Sequence, residues 1–417
     1  MLEINSLLVS PGKSWLMLFG RLPLVLPQLT LSDKPLKFRD VGRYVGIFFQ
    51  STHRNMFAPH YTEKRDAAVG TARAITGCDL LVGNCRMPPS ITKQLYTALV
   101  DCHLTNGCEI IPDTDPSLIQ IRFLRRMLNL SNNSVITPLF TESGIMPIRT
   151  RRASLALRYL KCLITLPPSH YAFSALWEND NLRRAGSPCW LSDLDYAISQ
   201  LPGHHRLPHL QDLNNVSIDT LIKTIEFSTK SELQSHIDTW SKLSLLRNRL
   251  EPKEAGPAKQ QIIGLRHYLT QVKNHAHRRS ITKLLCGDLT PQIFRASASP
   301  LRLLTPTEVL HRTCRACNLQ GETPQHLLFQ CPSLTSITSL RAEFFLSIRQ
   351  SRPLLRSPNL SDSTALHYLR LLIFDWNLII PTAKFIHEVV TLWQLFLDTG
   401  LDGSLEYVES DYESEVE

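Results

Sequence analysis

The sequence has 417 residues, of which 43% are hydrophobic and 20% charged, and its formal net charge is +8. A chain of this length and composition can form two or three domains with buried cores, which excludes a wholly disordered chain. Residues 402–417 hold seven acids and no Lys or Arg, so the rest of the chain carries +15. So basic a region favours a polyanionic partner. Nucleic acid is the favoured class of partner, and an anionic membrane surface is the second choice.

The cysteines and the apolar segments indicate the cellular compartment. Ten cysteines in so long a chain do not make the dense pattern of a small disulfide-stabilised secreted protein. Glu3, Lys13 and Arg21 interrupt the apolar first 30 residues, and no apolar run is long enough to cross a bilayer. The sequence therefore predicts an intracellular protein of the nucleus or cytoplasm, with no signal peptide and no membrane span.

The predicted elements change from strand to helix near residue 50. Apolar and polar residues alternate in short stretches between 14 and 49, which predicts a short β ribbon. Beyond it the fold class is mainly α, with helices predicted at 61–77, after "PPS" (88–90), after "TDPS" (114–117), and at 150–165, 216–248, 258–272, 276–286, 333–349, 363–373 and 383–398.

The helix predicted at 150–165 has the clearest amphipathic pattern. Its apolar residues recur every three or four positions and form one stripe: Ala153, Ala156, Leu157, Leu160, Leu163 and Ile164. The opposite side repeats Arg151, Arg158 and Lys161 with the same spacing. We expect the stripe to face a core and the basic side to face solvent, where phosphate groups can reach it.

A second basic segment lies at Leu265–Leu285. It contains no acid and five basic residues: Arg266, Lys273, Arg278, Arg279 and Lys283. The pair His275 and His277 could bind a metal ion, but we favour an exposed basic turn between two helices. Such a turn is predicted to contact phosphates, since basic surfaces gain affinity by releasing condensed counterions.

The most specific motif is "CRACNLQGETPQHLLFQC" (Cys314–Cys331), with the spacing Cys-x2-Cys-x8-His-x4-Cys. Zn²⁺ takes four nitrogen or sulfur ligands in a tetrahedron, and Cys-x2-Cys presents two thiolates from one tight turn. Thr323 and Pro324 are typical of a helix start, which would turn His326 toward that pair. We therefore predict a structural Zn²⁺ ion held by Cys314, Cys317, His326 and Cys331. Four protein ligands leave no open position for catalysis.

Seven segments in this order resemble the C-terminal half of a non-LTR (LINE-type) retrotransposon reverse transcriptase, most of all the fungal type. They are "NSLLVSPGKSWLMLFG", "RYVGIFF", "HYTEKRDAAVGTARAITG", "ITKQLYTALVDCHLTNGCEI", "LFTESGIMPIRTRRASLALRYLKCL", "LRHYLTQVKNHAHRRSITKLL" and the Cys/His motif itself. The resemblance covers roughly residues 1–335 and ends where that family keeps its zinc knuckle, a small Cys-Cys-His-Cys metal fold.

The resemblance implies a linear organisation. Its regions are a β remnant of the palm's end (1–50), a helical thumb-like region (51–166), a helical connector (167–300), the CCHC zinc knuckle (301–335), C-terminal helices (336–400) and an acidic tail (401–417) that composition predicts to be disordered.

The resemblance also implies roles for individual residues. Lys13 matches the lysine that follows the family's catalytic strand pair, and Tyr44 and Gly46 match the turn that supports the primer end. The basic residues of the thumb-like helices would follow the primer–template backbone: Arg122, Arg125, Arg126, Arg151, Arg158 and Lys161.

One departure from the family decides the expected activity. The family's Tyr-x-Asp-Asp carboxylates would fall before Met1, so we expect no catalytic residues and no polymerase activity from this chain alone. The expected function is a truncated reverse transcriptase remnant with sequence-weak binding of RNA or a primer–template duplex. Three alternatives stay open: a zinc-containing protein-interaction module, a partner for a separately encoded polymerase palm, and a non-functional degenerate gene product.

Overall fold

A computed structural model describes residues 10–20, 25–52, 55–78, 86–112, 114–289, 314–318, 321–349 and 361–399. The chain divides into two compact units, each assembled from segments that are distant in sequence. The first unit contains Met1–Ala74, Tyr96–Ile119 and Ile148–Ile225, and the second contains Ile75–Leu95, Gln120–Pro147 and Glu226–Glu417. The predicted mainly α class is confirmed, with a few short strands near the N-terminus. None of the described helices has both the length and the apolar character needed to cross a bilayer.

The strands form three two-stranded pairs in the first unit. β1 (Trp15–Leu16) pairs in parallel with β4 (Lys37–Phe38), β2 (Thr30–Leu31) pairs antiparallel with β3 (Lys34–Pro35), and β5 (Val41–Tyr44) pairs antiparallel with β6 (Ile47–Gln50). The β5–β6 hairpin turns at Val45 and Gly46, which have φ angles of 48° and 84°. Positive φ at both central residues is the conformation that joins twisted strands through a two-residue loop.

The described helices run along the whole chain, and their bounds are as follows. They are α1 (Ala58–Gly77), α2 (Pro89–Leu95), α3 (Asp101–Thr105), α4 (Ser117–Leu128), α5 (Thr137–Ser143), α6 (Ile148–Ile164), α7 (Tyr171–Arg184), α8 (Trp190–Ser199), α9 (Asn215–Thr239), α10 (His267–Gln271), α11 (His275–Leu285), α12 (Thr335–Ile348), α13 (Asp362–Ile373) and α14 (Ile379–Thr399). Short 3₁₀ turns lie at Pro11–Lys13, Leu210–Asp212 and Ser241–Leu246, and π-helical turns at Tyr96–Val100 and His326–Gln330.

Most predicted helices are confirmed to within a few residues, and two predictions are corrected. The helix predicted at 216–248 ends at Thr239 and continues only as the 3₁₀ turn. The helix predicted at 258–272 is limited to α10, because the chain before it is extended and Lys259 pairs with Glu251 in an isolated β-bridge. Helices α5, α7 and α8 were not predicted.

The core of the first unit is built around α6. Ala153, Ala156, Leu157 and Leu160 are buried, and they pack with apolar residues of α7, α8 and the first half of α9. Leu163 and Ile164 are partly buried against the same cluster. The apolar stripe read from the sequence therefore faces the core, as predicted.

The core of the second unit contains an aromatic cluster on α12 and α14. The Phe344 and Phe385 rings stack with centroids 4.2 Å apart, and Phe329 lies 6.2 Å from Phe385. Trp393 of α14 is buried nearby along the same helix. Phe329 belongs to the Cys/His motif, so this cluster joins the motif to the C-terminal helices.

Candidate metal centre

The four predicted ligands converge in the second unit. One donor atom from each of Cys314, Cys317, His326 and Cys331 lies within 4.8 Å of all the others. Cys314 and Cys331 are buried, as is His326, while Cys317 is half-buried. The cluster is therefore a Cys₃His group that can hold a metal ion.

Two of the distances between donor atoms match the edges of a tetrahedron around an ion. With thiolate bonds of about 2.3 Å and an imidazole bond of about 2.0 Å, a tetrahedron has sulfur–sulfur edges of about 3.8 Å and sulfur–nitrogen edges of about 3.5 Å. The Sγ atoms of Cys314 and Cys331 are 3.8 Å apart, and Cys317 Sγ lies 3.4 Å from His326 Nε2. A disulfide requires about 2.05 Å, so these sulfurs are not bonded to one another. The donor set and these two distances fit a thiolate-binding ion.

Local hydrogen bonds form the two turns that carry the ligands. Asn318 adopts a left-handed φ of 57° and donates its N–H to the Cys314 carbonyl at 2.8 Å, which closes the Cys-x2-Cys turn. Thr323 Oγ1 accepts from the His326 N–H at 3.0 Å. The Cys331 N–H then donates to the His326 carbonyl at 2.8 Å. The Thr323 signal in the sequence therefore does mark the start of the helical turn that carries His326.

Two arginines stabilise the motif through hydrogen bonds and an ion pair close to its ligands. Arg341 of α12 is buried and donates to the Leu328 carbonyl at 2.9 Å and to the Cys331 carbonyl at 3.1 Å. Arg315 forms an ion pair with the fully buried Glu322 carboxylate and lies over the Trp393 ring at 6.0 Å. Sequence reasoning missed both arginines, although Arg315 and Glu322 lie within the motif itself.

The pKa values of two cysteine thiols in the cluster are shifted. A hydrogen bond with Cys331, together with burial, raises the pKa of the Cys314 thiol to about 11, while the same hydrogen bond lowers the pKa of Cys331. A metal ion binds cysteine as the thiolate, so binding an ion here would release the protons of the cysteine thiols.

The basic side of α6 is largely neutralised within the first unit. Arg151 Nε lies 2.8 Å from Asp101 Oδ2, and Lys161 Nζ lies 2.7 Å from Asp219 Oδ2. Arg158 is exposed, and no described carboxylate pairs with it. The predicted basic ridge therefore presents one unpaired charge rather than three.

Arg152, the neighbour that sequence reasoning passed over, is a structural group. It is buried in the first unit and donates to the Leu104 carbonyl at 2.6 Å and the Ile111 carbonyl at 2.8 Å. The sequence does not distinguish Arg152 from its neighbour Arg151, since both residues belong to one run of basic residues.

The structure corrects the expected basic turn at 265–285. Arg266 is 1% exposed and lies 3.2 Å from Glu251, and Arg278 is 6% exposed and donates to the Val272 carbonyl at 2.8 Å. Buried guanidinium groups of this kind are not presented to a phosphate backbone. Lys273 and Arg279 are exposed, and neither forms an ion pair with a described residue.

The basic residues of α4 differ in their exposure to solvent. Arg122 and Arg126, spaced by four residues and thus on one helical face, are exposed. Arg125 is half-buried and donates to the Ser134 carbonyl at 2.8 Å, which makes it a structural contact.

The residues matched to the primer-end turn lie at the N-terminal strands. Tyr44, 69% exposed, is the last residue of β5, and Gly46 lies in the two-residue turn of the β5–β6 hairpin. Lys13 is exposed at the end of its 3₁₀ turn.

Fold and site together describe a mainly helical protein with a Cys₃His cluster that can hold a metal ion. Comparison with known protein families, with curated proteins and with solved structures finds no match for this chain.

Proposed function

We propose that this chain is a zinc-stabilised nucleic-acid-binding protein that derives from a non-LTR retrotransposon reverse transcriptase. The order of the seven sequence segments supports the derivation. No nucleotidyl transfer is proposed for this polypeptide, because its sequence contains no pair of adjacent aspartates to hold two Mg²⁺ ions. The activity proposed is sequence-weak binding of RNA, or of a primer–template duplex, through phosphate contacts.

The proposed metal is Zn²⁺ in a structural role. Three thiolates and one imidazole are the ligand set that Zn²⁺ favours in closed tetrahedral sites. All four ligands come from the chain, and Phe329 ties the motif to the aromatic cluster of α12 and α14. The ion would therefore stabilise the fold rather than perform chemistry.

The observation that carries the binding proposal is a set of uncompensated charges in the second unit. Eight basic side chains there are exposed and have no described carboxylate partner, and five of them lie before α2, on α4 and around the start of α11: Arg86, Arg122, Arg126, Lys273 and Arg279. On α6, by contrast, Asp101 and Asp219 already neutralise two of the three basic residues. The proposed phosphate contacts therefore lie mainly on α4 and at the start of α11, not on α6.

Charge removal on these two helices tests the proposal. We expect Arg122→Gln/Arg279→Gln to weaken binding of a structured RNA and to reduce the slope of log K against log salt by about 2, since each lost phosphate contact removes about 0.9. Fluorescence anisotropy across a salt series measures both quantities.

The matched control is Lys223→Gln/Lys253→Gln, which removes the same charge at two other exposed positions. Its slope should stay that of the unmodified chain. Equal slopes for the two double variants would mean that α4 and α11 do not contact the nucleic acid.

A second candidate is a protein-interaction module, favoured by apolar side chains that are exposed in the N-terminal strand region. They are Phe19, Val25, Leu26, Leu29, Val41, Tyr44 and Val45. Exposed apolar side chains suit a protein partner, such as a separately encoded palm, better than a phosphate backbone. Unchanged RNA binding by Arg122→Gln/Arg279→Gln, together with loss of a partner on Val25→Ser/Val45→Ser, would favour this candidate.

A further inference from the structure

A cavity in the second unit is formed by residues 251–270 and by the turn between α13 and α14. Its volume is about 410 Å³, which lies within the range of pockets that hold small ligands. The cavity combines an indole ring with several side chains that can form hydrogen bonds. The lining residues of this kind are Glu251, Gln260, Gln261, His267, Thr270 and Trp376.

Trp376 forms an aromatic wall of the cavity that is fixed from behind. Its ring stacks on the His267 ring, with centroids 6.2 Å apart and planes 27° apart. His267 is held through both ring nitrogens, since Nδ1 lies 3.0 Å from Glu251 Oε1 and Nε2 lies 3.0 Å from the Ile373 carbonyl oxygen. Trp376 is half-buried. Part of its ring is therefore open to the cavity, on a support that does not need to rearrange when a second ring stacks there.

Neutral donors and acceptors lie near this ring. Gln260 and Gln261 are exposed on the chain before α10, and Thr270 is half-buried on α10 itself. Gln261 Nε2 donates to the Ile263 carbonyl at 3.1 Å, which orients its carboxamide. A carboxamide presents an acceptor oxygen and an NH₂ donor side by side. These are the groups that bind the polar edge of an unpaired nucleobase.

The charged side chains of the cavity disfavour a cationic ligand. The Glu251 carboxylate is already engaged, because Oε2 lies 3.2 Å from Arg266 Nη1 and Oε1 accepts the His267 N–H at 2.7 Å. Lys253 and Lys259 also line the cavity, and both are exposed. A neutral planar ring, by contrast, needs only the indole surface and the carboxamides.

We propose that this cavity binds a nucleobase, which stacks on Trp376 and forms hydrogen bonds with the carboxamides of Gln260 and Gln261. Every base has a π face, so stacking on an aromatic side chain tolerates different bases. The base belongs either to an unpaired nucleotide of RNA or to a free nucleoside compound. The first source rests on the proposed function, whereas the site itself does not.

The first arm of the test uses adenosine, which has a base but no phosphate. Trp376→Leu removes the stacking ring, and Trp376→Phe keeps an aromatic ring in its place. Trp240→Leu is the matched control, at an exposed tryptophan elsewhere in the second unit. Ligand-observed NMR should detect adenosine binding by the unmodified chain. Trp376→Leu should reduce the affinity about fivefold or more, while Trp376→Phe and Trp240→Leu should retain most of it.

Gln260→Ala provides a variant at an exposed position, where the fold is expected to persist. Loss of its hydrogen bond should reduce adenosine affinity about threefold or more. Undetectable adenosine binding by the unmodified chain, or equal affinity in Trp376→Leu and Trp240→Leu, would overturn the site. An unchanged affinity in Gln260→Ala would also contradict it.

The second arm repeats the comparison with a single-stranded RNA. If Trp376→Leu weakens both ligands, the cavity takes a base of RNA, and the slope of log K against log salt should not change because a stacked base releases no counterions. If adenosine binding falls while RNA binding is unchanged, the cavity takes a free nucleoside compound. If the unmodified chain binds adenosine but no RNA, the site stands and the proposed nucleic-acid function fails.

Discussion

Replacing Cys317 with serine is expected to abolish stoichiometric metal binding and to unfold the segment Cys314–Cys331. Four ligands hold the ion, and the loss of one thiolate leaves an incomplete tetrahedron. Structural Zn²⁺ in small domains contributes on the order of 10 kcal/mol of apparent binding free energy, which appears as folding free energy. Elemental analysis should therefore find about one metal ion per unmodified chain and none in the variant.

Loss of the ion should also destabilise the C-terminal helices α12 and α14. Phe329 packs against Phe345 and Phe385, so unfolding of the motif exposes part of the aromatic cluster. A strong chelator added to the unmodified chain should lower its melting temperature in the same way. Cys162→Ser is the matched control, since Cys162 is a free and exposed cysteine of α6. Metal content equal in Cys317→Ser and Cys162→Ser would show that the cluster is not the metal site.

A large loss of stability is expected on replacement of Glu142, whose side chain is fully buried in the second unit. Arg249 Nη1 donates to both carboxylate oxygens at 2.8 Å, and Tyr268 Oη donates to one of them at 3.1 Å. Burial alone would lower the pKa of Arg249, but the Glu142 carboxylate holds that pKa above its ordinary value. Glu142 is thus the counter-charge that permits Arg249 to be buried.

Glu142→Gln keeps the shape of the side chain and removes the charge. Breaking one partner of a buried ion pair costs about 3–5 kcal/mol, because the other charge stays buried without compensation. Equilibrium denaturation should show a decrease of that size in the free energy of unfolding. The control Glu388→Gln breaks the more exposed pair with Lys384, and should cost at most about 1 kcal/mol. Similar costs for the two variants would mean that the Glu142 network does not stabilise the fold.

The parts of the structure that the sequence predicts are those encoded by local spacing. The helix α6 follows from the three- and four-residue recurrence of Ala153, Leu157 and Leu160, and each of these residues is buried. The Cys/His motif follows from ligand types at fixed intervals, and its four donor atoms do converge. Both signals lie within about 20 residues of sequence, where one turn or one helix determines the geometry.

The parts that the sequence does not predict are contacts between residues that are distant in sequence. Nothing near Arg249 indicates that Glu142, 107 residues earlier, would bury its charge. Arg151 and Lys161 look free on the helix, but Asp101 and Asp219 reach them from other segments. Whether a basic residue is available to a phosphate therefore depends on tertiary contacts, which periodicity does not report.

The salt dependence of RNA binding tests the central claim most directly. For the purified, metal-loaded chain, log K for a structured RNA should fall linearly with log salt. The slope should be near −0.9 for each phosphate contact, and thus about −3 to −5 if three to five of Arg86, Arg122, Arg126, Lys273 and Arg279 contact phosphates. Binding that is undetectable at low salt, or an affinity that does not change with salt, would contradict the claim that this protein binds nucleic acid through its phosphates.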